Sequence, residues 1–497
     1  MLAPPRHILS KSTFMKGCQC PKALWMYKHQ PDLRAVVSNS QQAIFDQGTS
    51  VGKLAEQLFP GGVDARPVDT YSYQQSVVDT FNYVQAGHKV IYEAAFQHDQ
   101  VLAALDILVK KRGKWQAFEV KSSTSVKDTF LQDAALQYYV ITQAGLPLVD
   151  FSIVYINNEY ERYGDLDIAQ LFTIESVLDQ ILELQPQIAA KIPQLKEVLK
   201  QKTVPEQAIG PHCSDPYACD FTDHCWQHLP EDSVFDLRGH SAGAKSFDLY
   251  EQGIHRLLDI PDDYPLNGGQ QLQVQCHKTG EPHIGQEALN DFLAQLEYPL
   301  YFMDFETYQV AVPERDGTRP YQQIPFQYSV HRQDSPGEPL THFEWLAQSG
   351  TDPRKDFLVN LLSAMGTTGT ILAYNSSFEN SRLNDLAYWF PRKAKAIEAM
   401  QERMIDLMSP FRSKHYYLPA MKGSYSIKQV LPALVPNMNY DELEIGNGGD
   451  ASTAFYQLQF EKDASVVEQT RTALLRYCAM DTEAMVRVLE KINSLKN

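Results

Sequence analysis

Tyr301-Phe-Met-Asp304-Phe-Glu306-Thr307 is the stretch on which the reading of this chain turns. It lies in an apolar run that predicts a strand over residues 300–305. Side chains two apart on a strand share a face, so Asp304 and Glu306 project together and can hold divalent cations. A second set of acids lies far upstream, in Asp106 and Glu119-Val120-Lys121. Residues 101–110 and 115–120 predict paired strands joined by the polar turn Lys110-Lys-Arg-Gly113. Glu119 and Lys121 then point the same way, and Asp106 on the neighbouring strand completes the set. Two carboxylates and the Val120 carbonyl suit Mg2+ or Mn2+, while the Lys121 ammonium can position or help deprotonate an attacking water. Glu93, in Tyr92-Glu-Ala-Ala-Phe96, can assist through a second ion or a water. Taken alone, each set has a plainer explanation: a salt bridge on a hairpin, or a strand-end turn. Two sets in one chain argue for two metal-dependent, phosphodiester-cleaving domains in tandem.

At 497 residues the chain exceeds one ordinary core. The expected partition is an α/β nuclease domain over residues 1–230, a connecting region over 231–295 with no catalytic constellation, and a second α/β nuclease domain over 296–497. Helical spacing covers residues 41–59, interrupted by Gly48 and Gly52, and residues 126–142. A strand is expected at 151–156, and residues 168–200 read as one long helical stretch broken or kinked at Pro186 and Pro193. Further on, strands at 326–332, 342–345, 370–373 and around Asp406 precede a helical end over 454–493.

A formal charge of −17 argues against a protein that coats nucleic acid through bulk positive charge. It leaves room for a local basic groove, for which Lys11 to Arg34, Lys110-Lys-Arg112 and Arg412-Ser-Lys414-His415 are the candidates; ordinary surface charge explains them equally well. No apolar run reaches the length of a membrane span. The opening Met1-Leu-Ala-Pro-Pro-Arg-His7 lacks the pattern of a secretory leader, and a cytoplasmic location is the default expectation. Of seven cysteines, Cys18 and Cys20 lie early, Cys213, Cys219 and Cys225 crowd together, and Cys276 and Cys478 stand alone. In a cytosolic chain, clustered thiols bind metal more often than they form disulfides.

Asp106, Glu119 and Lys121 form the PD-(D/E)xK arrangement, and their surroundings resemble the RecB-type nucleases, which include CRISPR-associated exonucleases. Many of those carry a [4Fe–4S] cluster on four cysteines, one before the nuclease core and three after it. Cys20, in Gly17-Cys-Gln-Cys20-Pro, matches the isolated ligand, and Cys213, Cys219 and Cys225 match the trio. The resemblance therefore implies an iron–sulfur cluster that ties the domain's two ends together. Four-cysteine zinc is the alternative, and Cys18 could exchange roles with Cys20. The sequence departs from the family at two points. Gly52 stands where a metal-binding His is usual, and Asp133-Ala-Ala-Leu-Gln137 replaces a Gln-x-x-x-Tyr motif.

The downstream motif resembles the first motif of DnaQ-like (DEDD) 3′–5′ exonucleases, which have an RNase H-like fold. Tyr374-Asn-Ser-Ser-Phe-Glu379 is similar to the second, with Glu379 in place of Asp, and Tyr477-Cys-Ala-Met-Asp481 fits the third. The likeness implies that Asp304, Glu306, Glu379 and Asp481 bind metal and that Tyr477 orients the attacking water. Asp406 would be structural or stand behind the ligands. Lys428 would touch a phosphate or, more plainly, face solvent. Leu9-Ser-Lys-Ser12, Gln19-Cys-Pro-Lys22 and Tyr425-Ser-Ile-Lys-Gln-Val-Leu-Pro432 add a resemblance to an uncharacterised bacterial family that joins both modules. The leading expectation is a cytoplasmic nuclease acting on DNA or RNA, with repair, recombination or defence as settings by analogy. Its rivals are a nucleic-acid-binding scaffold with an inactive N-terminal fold, and a zinc-stabilised interaction protein.

Overall fold

Near-continuous apolar runs in the first half of the chain build a sheet covered on both faces. The computed structural model describes residues 6–69 and 72–495, so the opening residues 1–5 lie outside the described residues. The strands are β1 (Leu9–Ser10), β2 (Val63–Asp64), β3 (Val90–His98), β4 (Val101–Lys111), β5 (Lys114–Lys121), β6 (Leu148–Ile156) and β7 (Phe172–Ser176). Their order is β2-β3-β4-β5-β6-β7, with β1 beside β4. Strands β3, β4 and β5 are antiparallel, and β5 runs parallel to β6. A parallel pair needs a crossover, which the helix Asp128–Gln143 supplies.

Alternation along the strands sorts the core into two faces. Ala117, Phe151 and Ile153 pack with Leu136, Val140, Ile181 and Ile188 from the helices Asp128–Gln143 and Leu178–Lys200. Phe118, Val120 and Val154 pack with Val51 and Ala55 of the helix Asn39–Ala55. That helix runs through Gly48 and Gly52 without a break.

The stretch 168–200 is not one helix. Ile168–Leu171 is a single turn, Phe172–Ser176 is β7, and only Leu178–Lys200 is a long helix. Periodicity alone does not separate a short apolar strand from a helix; here the antiparallel edge of β6 decides it. Pro186 and Pro193 sit inside the long helix, each removing one backbone donor. Burial of Ile181, Ile188, Ile192 and Leu195 on one stripe maintains it.

The chain divides into two compact units. The first takes the residues up to His228 together with Val310–Gln322. In this inserted segment Ala311 joins the Val51–Phe118 cluster, and the Tyr321 hydroxyl lies 2.7 Å from that of Ser122.

The second unit comprises Leu229–Gln309 and the residues from Gln323 onward. Its start, expected only to connect, carries its own apolar cluster of Val234, Leu237, Leu249, Leu257 and Val274. A short strand β8 (His283–Ile284) leads to the main sheet. That sheet uses β9 (Leu300–Tyr308), β10 (Ile324–Gln333), β11 (Thr341–Leu346), β12 (Ile371–Ala373) and β13 (Met404–Asp406) in the order β11-β10-β9-β12-β13. Strand β14 (Tyr416–Tyr417) pairs with β8. Strand β9, which bears Asp304 and Glu306, is central: antiparallel to β10 and parallel to β12. The terminal helix Ala464–Asn493 is bound to β10 by polar side chains. Gln327 donates to the Leu474 carbonyl at 2.8 Å, and Ser329 and His331 reach Thr482 Oγ1 at 2.7 and 2.8 Å.

Candidate metal-binding sites

Three acids of the first unit fall on one row across adjacent strands. The β3–β4 pairs Tyr92↔Ile107 and Ala94↔Leu105 bracket Glu93 and Asp106, and the β4–β5 ladder ends at Ile107↔Phe118, one step from Asp106 and Glu119. At that step Asp106 Oδ2 accepts the Val120 N–H at 2.6 Å. Glu93 adopts φ 51°, the left-handed region that a non-glycine residue rarely takes and that clusters at functional sites. Its carboxylate pairs with Arg66 at 3.2 Å.

Two ammonium groups meet the Glu119 end of this row. Glu119 Oε1 accepts from Lys11 at 2.6 Å and Lys121 at 2.9 Å, and Lys121 also bonds Asp133. Burial would raise the Glu119 carboxyl, but Lys11 and Lys121 outweigh it and hold it down to about 2. Asp106 is pushed well up, first by burial and then by the charge of Glu119. Glu119 Oε2 is buried without a hydrogen-bond partner. Open space faces Gly52, so the missing His is a matter of sequence rather than of crowding.

The second unit brings its acids together from three elements. Asp304 and Glu306 come from β9, Glu379 from the first turn of the helix Ser377–Trp389, and Asp481 from the terminal helix. Burial first, then Asp481, Glu306 and Glu379, drive Asp304 well up; burial and Asp481 do the same to Glu306. Glu379 is raised to about 8 and Asp481 to about 6, in each case first by burial. Glu379 is only 2% exposed, and its Oε2 has no hydrogen-bond partner. Carboxylates that repel one another and include an unsatisfied oxygen are a donor set that fits a cation. Asp304, Glu306 and Cys478 each offer a ligand atom within 4.8 Å of the others, a group able to hold a metal ion.

Supporting residues fix this geometry. Asp406 Oδ1 accepts the backbone N–H groups of Asn375 (2.9 Å) and Met408 (3.0 Å), which sets the left-handed Asn375 turn that launches the Glu379 helix. Tyr440 donates to Asp481 at 2.7 Å. Lys428 does not simply face solvent. Its ammonium bonds the Gly446 carbonyl at 2.6 Å and the Tyr477 hydroxyl at 3.3 Å, and its charge bears on Glu306 and Asp481.

Cys20, Cys213, Cys219 and Cys225 line one cavity in the first unit. Burial raises the Cys20 and Cys219 thiols, and the neighbouring sulfurs add to it. Cys18 does not line that cavity; it packs against the main core beside Lys191 and is raised by burial to about 11. The two ends of the unit are joined around the thiols. Gln19 Nε2 donates to the carbonyls of His212 (2.8 Å) and Tyr217 (2.7 Å), and Lys16 pairs with Asp220 at 2.8 Å.

Several participants escape sequence reasoning. Lys11 was visible only as part of a basic stretch and a recurrent tetrapeptide, and Asp133 only as a substituted motif position. Tyr440 and Cys478 gave no signal beyond their neighbours' motifs.

Residues 301–426 match a family model described as a domain of unknown function, DUF2779. The match includes Asp304, Glu306 and Glu379 and stops short of Tyr477 and Asp481. The chain is also similar to an uncharacterized protein of Ureaplasma parvum, 26% identical over 240 residues. That alignment takes 44% of this chain and 34% of the relative, so the chain spans about a third of the relative's length. Among the described residues, no helix is long and apolar enough to cross a membrane.

Proposed function

We propose that this chain is a divalent-metal-dependent nuclease that hydrolyses phosphodiester bonds of DNA or RNA. The second unit, read as a DnaQ-like module of RNase H-like fold, removes nucleotides 3′ to 5′. The first, read as a RecB-like module, cuts single-stranded or terminal DNA. The observation that carries this reading is that Asp304 and Glu306 offer ligand atoms within 4.8 Å of each other, with Glu379 and Asp481 close enough to act on their charge. Their order along the chain is that of the motifs the second unit resembles, and repelling buried acids favour a bound cation.

Asp304, Glu306, Glu379 and Asp481 would hold Mg2+ or Mn2+, which when bound stabilises the entering and leaving oxygens of the displacement. Tyr477 orients the water through its hydroxyl, and Lys428 fixes that hydroxyl. In the first unit Asp106 and Glu119 would be the ligands, with Lys121 placed to position the water. Cys20, Cys213, Cys219 and Cys225, which line one cavity, would hold a [4Fe–4S] cluster as a structural tie. An anaerobic preparation should then be brown and contain iron; a colourless one containing zinc would point to the interaction-protein reading.

The test uses end-labelled single- and double-stranded DNA and RNA with Mg2+ or Mn2+, comparing wild type with Lys121→Ala and Asp304→Ala. Loss of one class of product in each variant supports two active units. Products unchanged in both variants would reject the site assignments. A second reading, in which the first unit binds without cutting, is favoured by Gly52 and by the Lys11 ammonium on Glu119. It predicts that Asp304→Ala alone removes all cleavage.

A further inference from the structure

We propose that Cys478 supplies a thiolate ligand, with Asp304 and Glu306, to a metal position that takes a thiophilic divalent cation such as Zn2+, Co2+ or Cd2+. This rests on the reading of the second unit as a metal site and extends it to the choice of metal. Cys478 lies three residues before Asp481 on the terminal helix, so both face the same side. It is fully buried, and its sulfur stands 3.7 Å from Asp304 Oδ2 and 3.8 Å from the Asp304 carbonyl oxygen.

Those separations suit a shared ion. A tetrahedral zinc with Zn–S of about 2.3 Å and Zn–O of about 2.1 Å places its sulfur and oxygen ligands roughly 3.6 Å apart. A ligand atom of Glu306 completes the group within 4.8 Å. The buried Glu379 Oε2, which has no hydrogen-bond partner, is a further acceptor beside these acids.

A buried cysteine is usually a small apolar filler. Cys276, the other isolated buried cysteine, fits that role: its surroundings feature Lys414 and a backbone N–H, with no carboxylate among the influences on it. Cys478 is different, since its sulfur contacts a catalytic-type acid. On binding, the thiol proton leaves to solvent and a sulfur–metal bond forms, with no change of oxidation state. Carboxylate oxygens alone favour Mg2+ or Mn2+, and one thiolate shifts preference toward softer ions.

The experiment titrates the full-length, chelator-treated protein with Co2+ and follows the near-ultraviolet thiolate-to-cobalt absorption. The four-cysteine group contributes equally to wild type and Cys478→Ser, so the difference between them isolates this position. Wild type should show the additional band, and Cys478→Ser should lose it together with about 10-fold or more in Co2+ affinity. Mn2+ binding, read by electron paramagnetic resonance, should persist in Cys478→Ser. Cys478→Ala, checked by thermal melting, replaces the serine variant if the latter folds poorly. Equal bands in wild type and variant, with Mn2+ binding intact, would overturn the thiolate and leave the nuclease reading standing. Mn2+ binding that Asp304→Asn does not weaken would overturn both.

Discussion

The acids of the first unit arrive with their counter-ions built in, and those of the second do not. Glu119 and Asp133 meet the ammonium groups of Lys11 and Lys121. Asp304, Glu306, Glu379 and Asp481 have Lys428 beside Glu306 and Asp481 and Arg382 beside Glu379, with no ammonium group bonded directly to any of them among the hydrogen bonds described. The same chemistry of carboxylates on a strand face therefore gives two different resting states. In one, Glu119 is held by lysines, with which an incoming metal would have to compete. The other carries mutually repelling acids, whose repulsion a metal would relieve.

The largest effect should come from disturbing the balanced site. Lys121→Met leaves the buried Glu119 and Asp133 with Lys11 alone, and breaking such a buried pair costs about 3 kcal/mol. Denaturant unfolding should show it as a lower midpoint with an unchanged slope. A loss below about 1 kcal/mol would mean that the lysines are incidental to the fold.

Next comes pH. Glu379 rises from an ordinary 4.5 to about 8 and Asp481 from 3.8 to about 6. Both are raised in the folded state, so the folded protein binds more protons than the unfolded chain between those limits. Their contribution is complete below about pH 4 and is lost as pH rises through 6 and then 8. With metal removed, the melting temperature of the second unit should fall from pH 5 to 8. Added Mn2+ should restore it more at pH 8 than at pH 5, by up to about 2.7 kcal/mol at a hundredfold excess over Kd. A metal-free melting temperature flat across that window would contradict the strained-site picture.

A smaller effect is expected at Lys428, which touches Tyr477 rather than the acids directly. Lys428→Met should lower kcat about 10-fold with KM little changed, and Lys428→Arg should recover part of it. Equal loss in both substitutions would point to a packing role instead.

The contrast also explains what could be read from sequence. Asp304 and Glu306 were legible because strand periodicity fixes their common face, and Tyr477 and Asp481 because helical spacing does the same. Glu93, Asp106 and Glu119 share a row because two tight connections set the register of β3, β4 and β5. Lys11 was not legible, since nothing local says that an ammonium group 108 residues upstream will reach Glu119. Residues 172–176 looked helical because their strand character depends on the edge of β6. The Val310–Gln322 insertion was invisible for a like reason: its apolar residues are covered by the first unit, not by their sequence neighbours.

The most direct test of the central claim, that the second acidic cluster is built around divalent cations, is calorimetric titration with Mn2+ near pH 7.5. Wild type and Asp106→Asn should both show tight binding, and Asp304→Asn/Glu306→Gln should lose it. Binding in the double variant equal to that of wild type would contradict the claim.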